Sequence, residues 1–180
     1  MTSKSQLRTK APIIGFVAYS GTGKTTLLTG LIPLLRSNGL RIAVIKHTHH
    51  DFDIDKPGKD SYALRQAGAS QTLLASPRRM ALVIEQEAPY KEVSLREYLA
   101  HLDQDNVDLI LVEGFKHEAF PKIELQRAAL KHAALYPEDS HIIAVASDAV
   151  SPAQCRLPLL DLNNPQQVCD FILHFIDYHH

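Results

Sequence analysis

Cysteine is nearly absent from the 180-residue chain: Cys155 and Cys169 have neither a CxxC pairing nor the spacing of a disulfide framework. Nothing at the N terminus resembles a secretory leader, so a reduced, cytoplasmic protein is expected. No apolar run approaches the roughly 18 residues that a membrane-spanning helix needs. Neither sign of charge is in excess, with 19 Lys+Arg against 20 Asp+Glu and a formal net charge of −1. That balance removes the electrostatic footprint of broad nucleic-acid or anionic-membrane binding. Repeats, low-complexity tracts and linkers are also lacking. With 45% hydrophobic and 22% charged residues, the expectation is a loose polar arm over residues 1–11 and a single domain over 12–180.

What is present is concentrated first at Ala18-Tyr-Ser-Gly-Thr-Gly-Lys-Thr-Thr26. A small residue, four spacers, then Gly23, Lys24 and Thr25 make the pattern of a phosphate-binding loop. Backbone N–H groups must turn inward around the phosphates, which asks for unusual dihedral angles at Gly21 and Gly23. The following helix then aims its positive dipole end at the anion. The loop residues Ser20, Gly21, Thr22, Gly23, Lys24, Thr25 and Thr26 are the nucleotide set, with Thr26 expected to start the helix. Lys24 would reach the β- and γ-phosphates, and the Thr25 hydroxyl would be one ligand of Mg²⁺. Pro12–Ala18 supplies the preceding buried strand, and Leu27, Leu28, Leu31, Ile32, Leu34 and Leu35 supply the apolar face of the helix.

A second strand at Arg41–Lys46 completes a βαβ unit, which implies a largely parallel sheet with the ligand at the carboxyl ends of its strands. The polar segment 46–60 leaves such an end and carries His47, His49, His50, Asp51, Asp53 and Asp55. It reads as a switch-like loop over the phosphates, with a transition-metal site as the rival reading. Residues 70–76 and 78–85 flank Pro77 as an antiparallel hairpin, and Ser94 with Glu97 matches a capping box. Val107–Val112 delivers Glu113 to the carboxyl end of the sheet, where an acid holds Mg²⁺ or orients a nucleophile, and Gly114 lets the backbone approach the γ-phosphate. Residues 121–126 alternate like a half-buried strand, and 127–139 is helix or loop. Strand 141–147 ends at Asp148, which reads guanine or caps its loop, since the chain has no NKxD sequence. Asn164-Pro165 opens a terminal helix. The fold class is therefore α/β, a P-loop NTPase three-layer sandwich with helices on both faces and a hairpin near 70–85.

The segments AYSGTGKTTLL, IKHTHHDFDIDKPGKDSY, ILVEGFKHE and IIAVASD together resemble the MobB family of molybdopterin-guanine dinucleotide biosynthesis adapter proteins, over roughly residues 12–176. The resemblance implies a P-loop GTPase related to signal-recognition and MinD-like proteins, with GTP and Mg²⁺ as cofactors and weak intrinsic hydrolysis. It also implies a homodimer that associates with the molybdenum cofactor guanylyltransferase, and molybdopterin or its guanine dinucleotide as a further ligand. Carried over residue by residue, Gly21, Gly23, Lys24, Thr25 and Thr26 are the phosphate and Mg²⁺ set, and Glu113 with Gly114 the second acidic motif. His47, His49, His50, Asp55, Lys56, Lys59 and Asp60 match the signature loop. Lys24 and Glu113 are the residues expected to act in any hydrolysis. Two rival classes remain at this level: a small-molecule kinase, with Arg65, Arg78 and Arg79 closing on the phosphoryl group, and a metallochaperone GTPase built on the clustered histidines.

Overall fold

Ile13–Val17 (β1) is buried at every position, which a wholly apolar five-residue run achieves as an interior strand covered on both faces. The computed structural model describes residues 7, 9–48, 52–86, 88, 93–149 and 155–178. In chain order they form β1, α1 (Lys24–Ser37), β2 (Ile42–Lys46), α2 (Asp60–Gln66), β3 (Gln71–Ser76), β4 (Arg79–Ile84), α3 (Leu95–Leu99), β5 (Leu109–Glu113), β6 (Lys122–Gln126), β7 (Ile142–Ser147), β8 (Leu159–Asp161) and α4 (Pro165–Tyr178). They cluster into two compact units, Met1–His47 with Ser94–His180, and Thr48–Val93.

The larger unit is a six-stranded sheet in the order β2-β5-β1-β6-β7-β8, parallel at every pairing. Alternation along β1 and β5 splits its core in two. Ile14, Phe16, Leu109 and Leu111 face Leu27, Leu31 and Leu35 of α1 and Val168, Ile172 and Ile176 of α4. Ile13, Ile110 and Val112 face Leu95 and Leu99 of α3 together with Phe120. Helices thus cover both faces, as the βαβ spacing predicts, but the second layer is thin, five helical residues capped by Ser94 and Glu97. Phe120 fills the rest of it.

Phe120 belongs to the short crossover from β5 to β6, which passes over β1 at Gly15. A Cβ on Gly15 would lie 2.6 Å from Phe120 Cε2 and 2.8 Å from Lys122 Cγ, closer than packed carbon atoms approach. Glycine at this place lets eight residues do what a crossover helix does elsewhere.

Two expectations are corrected. Helix α1 begins at Lys24, not Thr26, so the lysine and both threonines occupy its first turn, where N–H groups are unpaired within the helix. Strand β6 is not half-buried: Lys122 and Glu124 are each 1% exposed. Their charges are met inside the protein. Lys122 Nζ donates to the carbonyls of Lys116 (3.1 Å) and Glu118 (2.7 Å) and pairs with Asp139. Glu124 accepts from the N–H groups of Leu135 and Tyr136, both at 2.8 Å. Those bonds resolve the 127–139 stretch, which is a single turn at Ala128–Leu130 followed by loop. Alanine favours helix, but Lys131 is left-handed at φ 50° and the carboxylate of Glu124 takes the N–H groups that a helix would use.

At the opposite end of the sheet Arg41 zips β2 to β5. Its Nη2 and Nε donate to Asp108 at 2.8 and 2.9 Å, and its own N–H donates to Asp108 Oδ2 at 2.7 Å. These hydrogen bonds hold the Asp108 carboxyl down to about 2. A depressed carboxylate contributes stability that is complete above its unfolded value, near 3.9, and is lost as pH falls through the folded one. Carboxyl NMR titration is expected to place the Asp108 midpoint near 2; a midpoint at the ordinary aspartate value would show that the zip does not form in solution.

The smaller unit joins α2 to the β3–β4 hairpin, whose two-residue turn at Pro77-Arg78 sets the register Ser76↔Arg79. Ser76 Oγ accepts from the N–H of Arg79 at 3.1 Å. Arg65 on α2 organises this unit, donating to Asp53 (2.6 Å), Asp55 (2.8 Å) and Glu85 (3.0 Å).

Candidate functional site

The glycine-rich loop 18–26 leaves β1 in the middle of the sheet and so sits at the carboxyl edge, where α/β proteins bind ligands. Gly21 and Gly23 take φ values of 78° and 103°, the left-handed backbone that the motif asks of glycine. Thr22 is buried and its hydroxyl donates to the Tyr19 carbonyl at 2.8 Å, which closes the loop on itself. Lys24 Nζ donates to the carbonyls of Ala18 (3.0 Å) and Tyr19 (3.2 Å), two acceptors of the same loop. Ser20, Thr25 and Thr26 are exposed.

Glu113 is brought beside this loop by the sheet, because β5 neighbours β1 with Glu113 opposite Phe16. Burial lowers the Lys24 pKa, the negative charge of Glu113 raises it and the positive charge of Lys46 lowers it again. The three groups therefore share one electrostatic environment, with Lys46 Nζ 3.5 Å from the Glu113 carboxylate. Thr25 and Glu113 offer a hydroxyl and a carboxylate, hard oxygen donors of the kind that Mg²⁺ takes.

Of the signature-loop residues, His47 is placed at the site. Its N–H donates to the Glu113 carbonyl at 2.9 Å and its ring stacks on Phe115 with centroids 4.6 Å apart. Tyr98 also meets the Phe115 ring edge-on, with centroids 5.8 Å apart. These rings hold Phe115 at φ 52°, a conformation uncommon for a bulky side chain. Gly114, at φ 106°, takes the sharper part of the turn. Asp55, Lys56, Lys59 and Asp60 lie in the smaller unit. Asp55 is buried and accepts from Arg65, whose hydrogen bond lowers its pKa. Lys56 and Lys59 are exposed, and Lys59 is the N-cap of α2, which Asp60 begins. His49 and His50, with Asp51, lie outside the described residues. Arg65, one of three cations assigned to a kinase reading, is committed to carboxylates of its own unit; Arg78 and Arg79 sit at the hairpin turn.

Asp148 accepts from the N–H of Ala128 at 2.8 Å and from Arg127 Nη1 at 3.2 Å, so it caps the turn after β6. Arg127, which no motif singles out, also donates from Nε to the Thr22 carbonyl at 3.1 Å. It ties the ends of β6 and β7 to the phosphate loop. Beside it is a cavity of about 250 Å³ whose lining includes Tyr19, Thr22, Arg127, His132 and Ser147. Tyr19 and His132 stack at 4.3 Å.

This geometry can be set against known proteins. Residues 13–148 match the sequence model of the family described as "Molybdopterin guanine dinucleotide synthesis protein B". The chain belongs to the MobB family. The molybdopterin-guanine dinucleotide biosynthesis adapter protein of Escherichia coli is 49% identical over 173 residues, 94% of this chain and 95% of that one. The adapter protein of Haemophilus influenzae is 43% identical over 97% of this chain and 94% of its own length. Among solved structures, Bacillus subtilis MobB superposes with a TM-score of 0.71 at 23% identity, covering 92% of this chain and 98% of that one. That last likeness speaks for the MobB fold alone. The region matched by the family model runs from β1 through Asp148, and so contains the phosphate loop, Glu113, His47 and Arg127.

Proposed function

We propose that this chain is a GTP-binding adapter that carries a Mg²⁺-dependent nucleotide site of low hydrolytic activity and serves, as a homodimer, the guanylyltransferase that joins GMP to molybdopterin. Its family makes it an adapter of molybdopterin-guanine dinucleotide biosynthesis. The finer reading rests above all on Lys24, whose ammonium lies against the loop's own carbonyls within the field of Glu113. A phosphate entering the loop would exchange those two neutral acceptors for anionic ones, which bind an ammonium more strongly. Thr25 and Glu113 would hold Mg²⁺, which when bound offsets the charge of the phosphate oxygens. Low hydrolysis fits a site in which Glu113 already faces Lys46. Molybdopterin or its guanine dinucleotide is a further ligand on this reading, and the cytoplasm is the expected compartment. Among the described residues no helix is long and apolar enough to cross a membrane.

Calorimetric titration with GTP, in Mg²⁺ and in chelator, tests the reading. Saturable binding that weakens in chelator is expected; no heat and no competition by GTP at millimolar concentration would sink it.

The homodimer has its own support. One face of the β3–β4 hairpin carries Leu73, Met80 and Leu82, exposed by 59, 71 and 46%, side by side in the register Leu73↔Leu82 and Ala75↔Met80. An apolar ladder of this kind on a soluble protein marks an association surface, and a second copy of the hairpin matches it by symmetry. Light scattering at micromolar concentration is expected to give twice the chain mass, and Leu82→Lys to return it to one. A wild-type monomer throughout that range would remove the dimer from the proposal.

A further inference from the structure

We propose that Arg127 is the nucleoside-positioning residue of the nucleotide site: its guanidinium plane, fixed between the phosphate loop and Asp148, forms the wall against which the base of the bound nucleotide lies. This rests on the nucleotide-binding reading above and adds to it a residue that no part of the phosphate-loop or Glu113 motifs contains.

The guanidinium is held at two points. Nε donates to the Thr22 carbonyl at 3.1 Å and Nη1 to Asp148 Oδ2 at 3.2 Å, across sequence separations of 105 and 21 residues. Nη2 lies 3.2 Å from the point that a Cβ on Gly23 would occupy, so the guanidinium closes directly on the Thr22–Gly23 segment of the loop. Asp148 is fixed in turn by the N–H of Ala128 at 2.8 Å. The Arg127 side chain is 33% exposed and borders the cavity of about 250 Å³. Tyr19 and His132, stacked on each other, stand among the other lining residues of that cavity. A planar heterocycle leaving the loop in this direction would meet an oriented cation and two rings.

Charge decides between this role and a phosphate clamp. The guanidinium is already paired with a carboxylate, so the pair presents little net positive charge to a triphosphate. What it retains is a flat, weakly hydrated, preorganised surface, which is how arginine stacks on aromatic faces. Asp148 then acts through Arg127: it orients the plane.

Displacement of a fluorescent ribose-labelled GTP from the full-length protein in Mg²⁺ separates the two roles, with GTP and inorganic tripolyphosphate as competitors. In Arg127→Gln the GTP constant is expected to weaken by about tenfold, the size of one aromatic or cation–π contact, while the tripolyphosphate constant stays within about twofold of wild type. Arg127→Lys keeps the charge and loses the plane, so it is expected to behave as the glutamine variant does. It also answers any effect of Gln on folding, because a lysine can still donate to Thr22. Asp148→Asn is expected to fall between. Equal losses for GTP and tripolyphosphate, or full rescue by lysine, would show a phosphate clamp and overturn the proposal. So would unchanged GTP binding in Arg127→Gln while Lys24→Ala loses both competitors, an outcome that leaves the nucleotide-binding reading intact. Wild-type protein that binds neither competitor overturns that reading and this inference together.

Discussion

Lys24→Ala is expected to weaken GTP binding by about a hundredfold while leaving the fold almost undisturbed. The ammonium would make charge-assisted hydrogen bonds to phosphate oxygens, worth about 1.5–3 kcal/mol, and about 2.7 kcal/mol corresponds to a hundredfold change in dissociation constant. Without nucleotide, Lys24 makes two hydrogen bonds to neutral carbonyls of its own loop. Their loss at a partly exposed position costs about 1 kcal/mol or less, which lowers the melting temperature by about 2–4 °C in a chain of this size. The burial that lowers the Lys24 pKa is opposed by Glu113, so Glu113→Gln is expected to lower it further. Calorimetry on both variants, beside thermal melts, checks these outcomes. A Lys24→Ala protein that binds GTP as wild type does would remove the loop from the nucleotide site.

The parts of this candidate site that are contiguous in the chain could be placed in the fold from it. The phosphate-loop motif is nine consecutive residues that run from the end of a strand into the first turn of a helix, and Glu113-Gly114 ends an apolar run whose direction fixes the edge of the sheet at which it emerges. Pro77 between two β-rich runs gives the hairpin by the same local logic. Arg127 was not legible because its meaning comes from the Thr22 carbonyl, 105 residues away. Nor was β6: Lys122 and Glu124 imitate the polar positions of a half-buried strand, and only their partners in the 116–118 and 135–139 loops reveal a central one. Asp55 shows the converse. It reads as an ionisable loop residue over a ligand, whereas its charge is answered by Arg65 within the smaller unit. A carboxylate in a loop carries no local sign of whether a cation of the protein already meets it.

Gly114→Ala is expected to destabilise the larger unit by about 3 kcal/mol, from two sources that can be separated. A non-glycine residue at φ 106° is strained by about 1–2 kcal/mol. The added Cβ would also lie 2.9 Å from His47 Cβ, and overpacking of a fixed neighbour costs about 1–3 kcal/mol. His47 is poorly able to yield, because its N–H is bonded to the Glu113 carbonyl and its ring is stacked on Phe115. Gly39→Ala supplies the comparison: Gly39 has φ 87° with nothing within 4 Å of the added Cβ, so it carries the strain without the collision. Chemical denaturation is expected to find Gly114→Ala the more costly of the two by about 1–2 kcal/mol, and His47→Gly, which removes the colliding carbon, to recover that difference in a double-mutant cycle. Equal costs at 39 and 114 would mean that β2 and β5 do not approach this closely at their carboxyl ends. If they do, the same substitution displaces Glu113, and the Mg²⁺-dependent part of GTP affinity is expected to fall while the part due to Lys24 remains. The junction of His47 with Gly114 is thus where the first histidine of the signature loop bears directly on Glu113, the acid of the proposed nucleotide site.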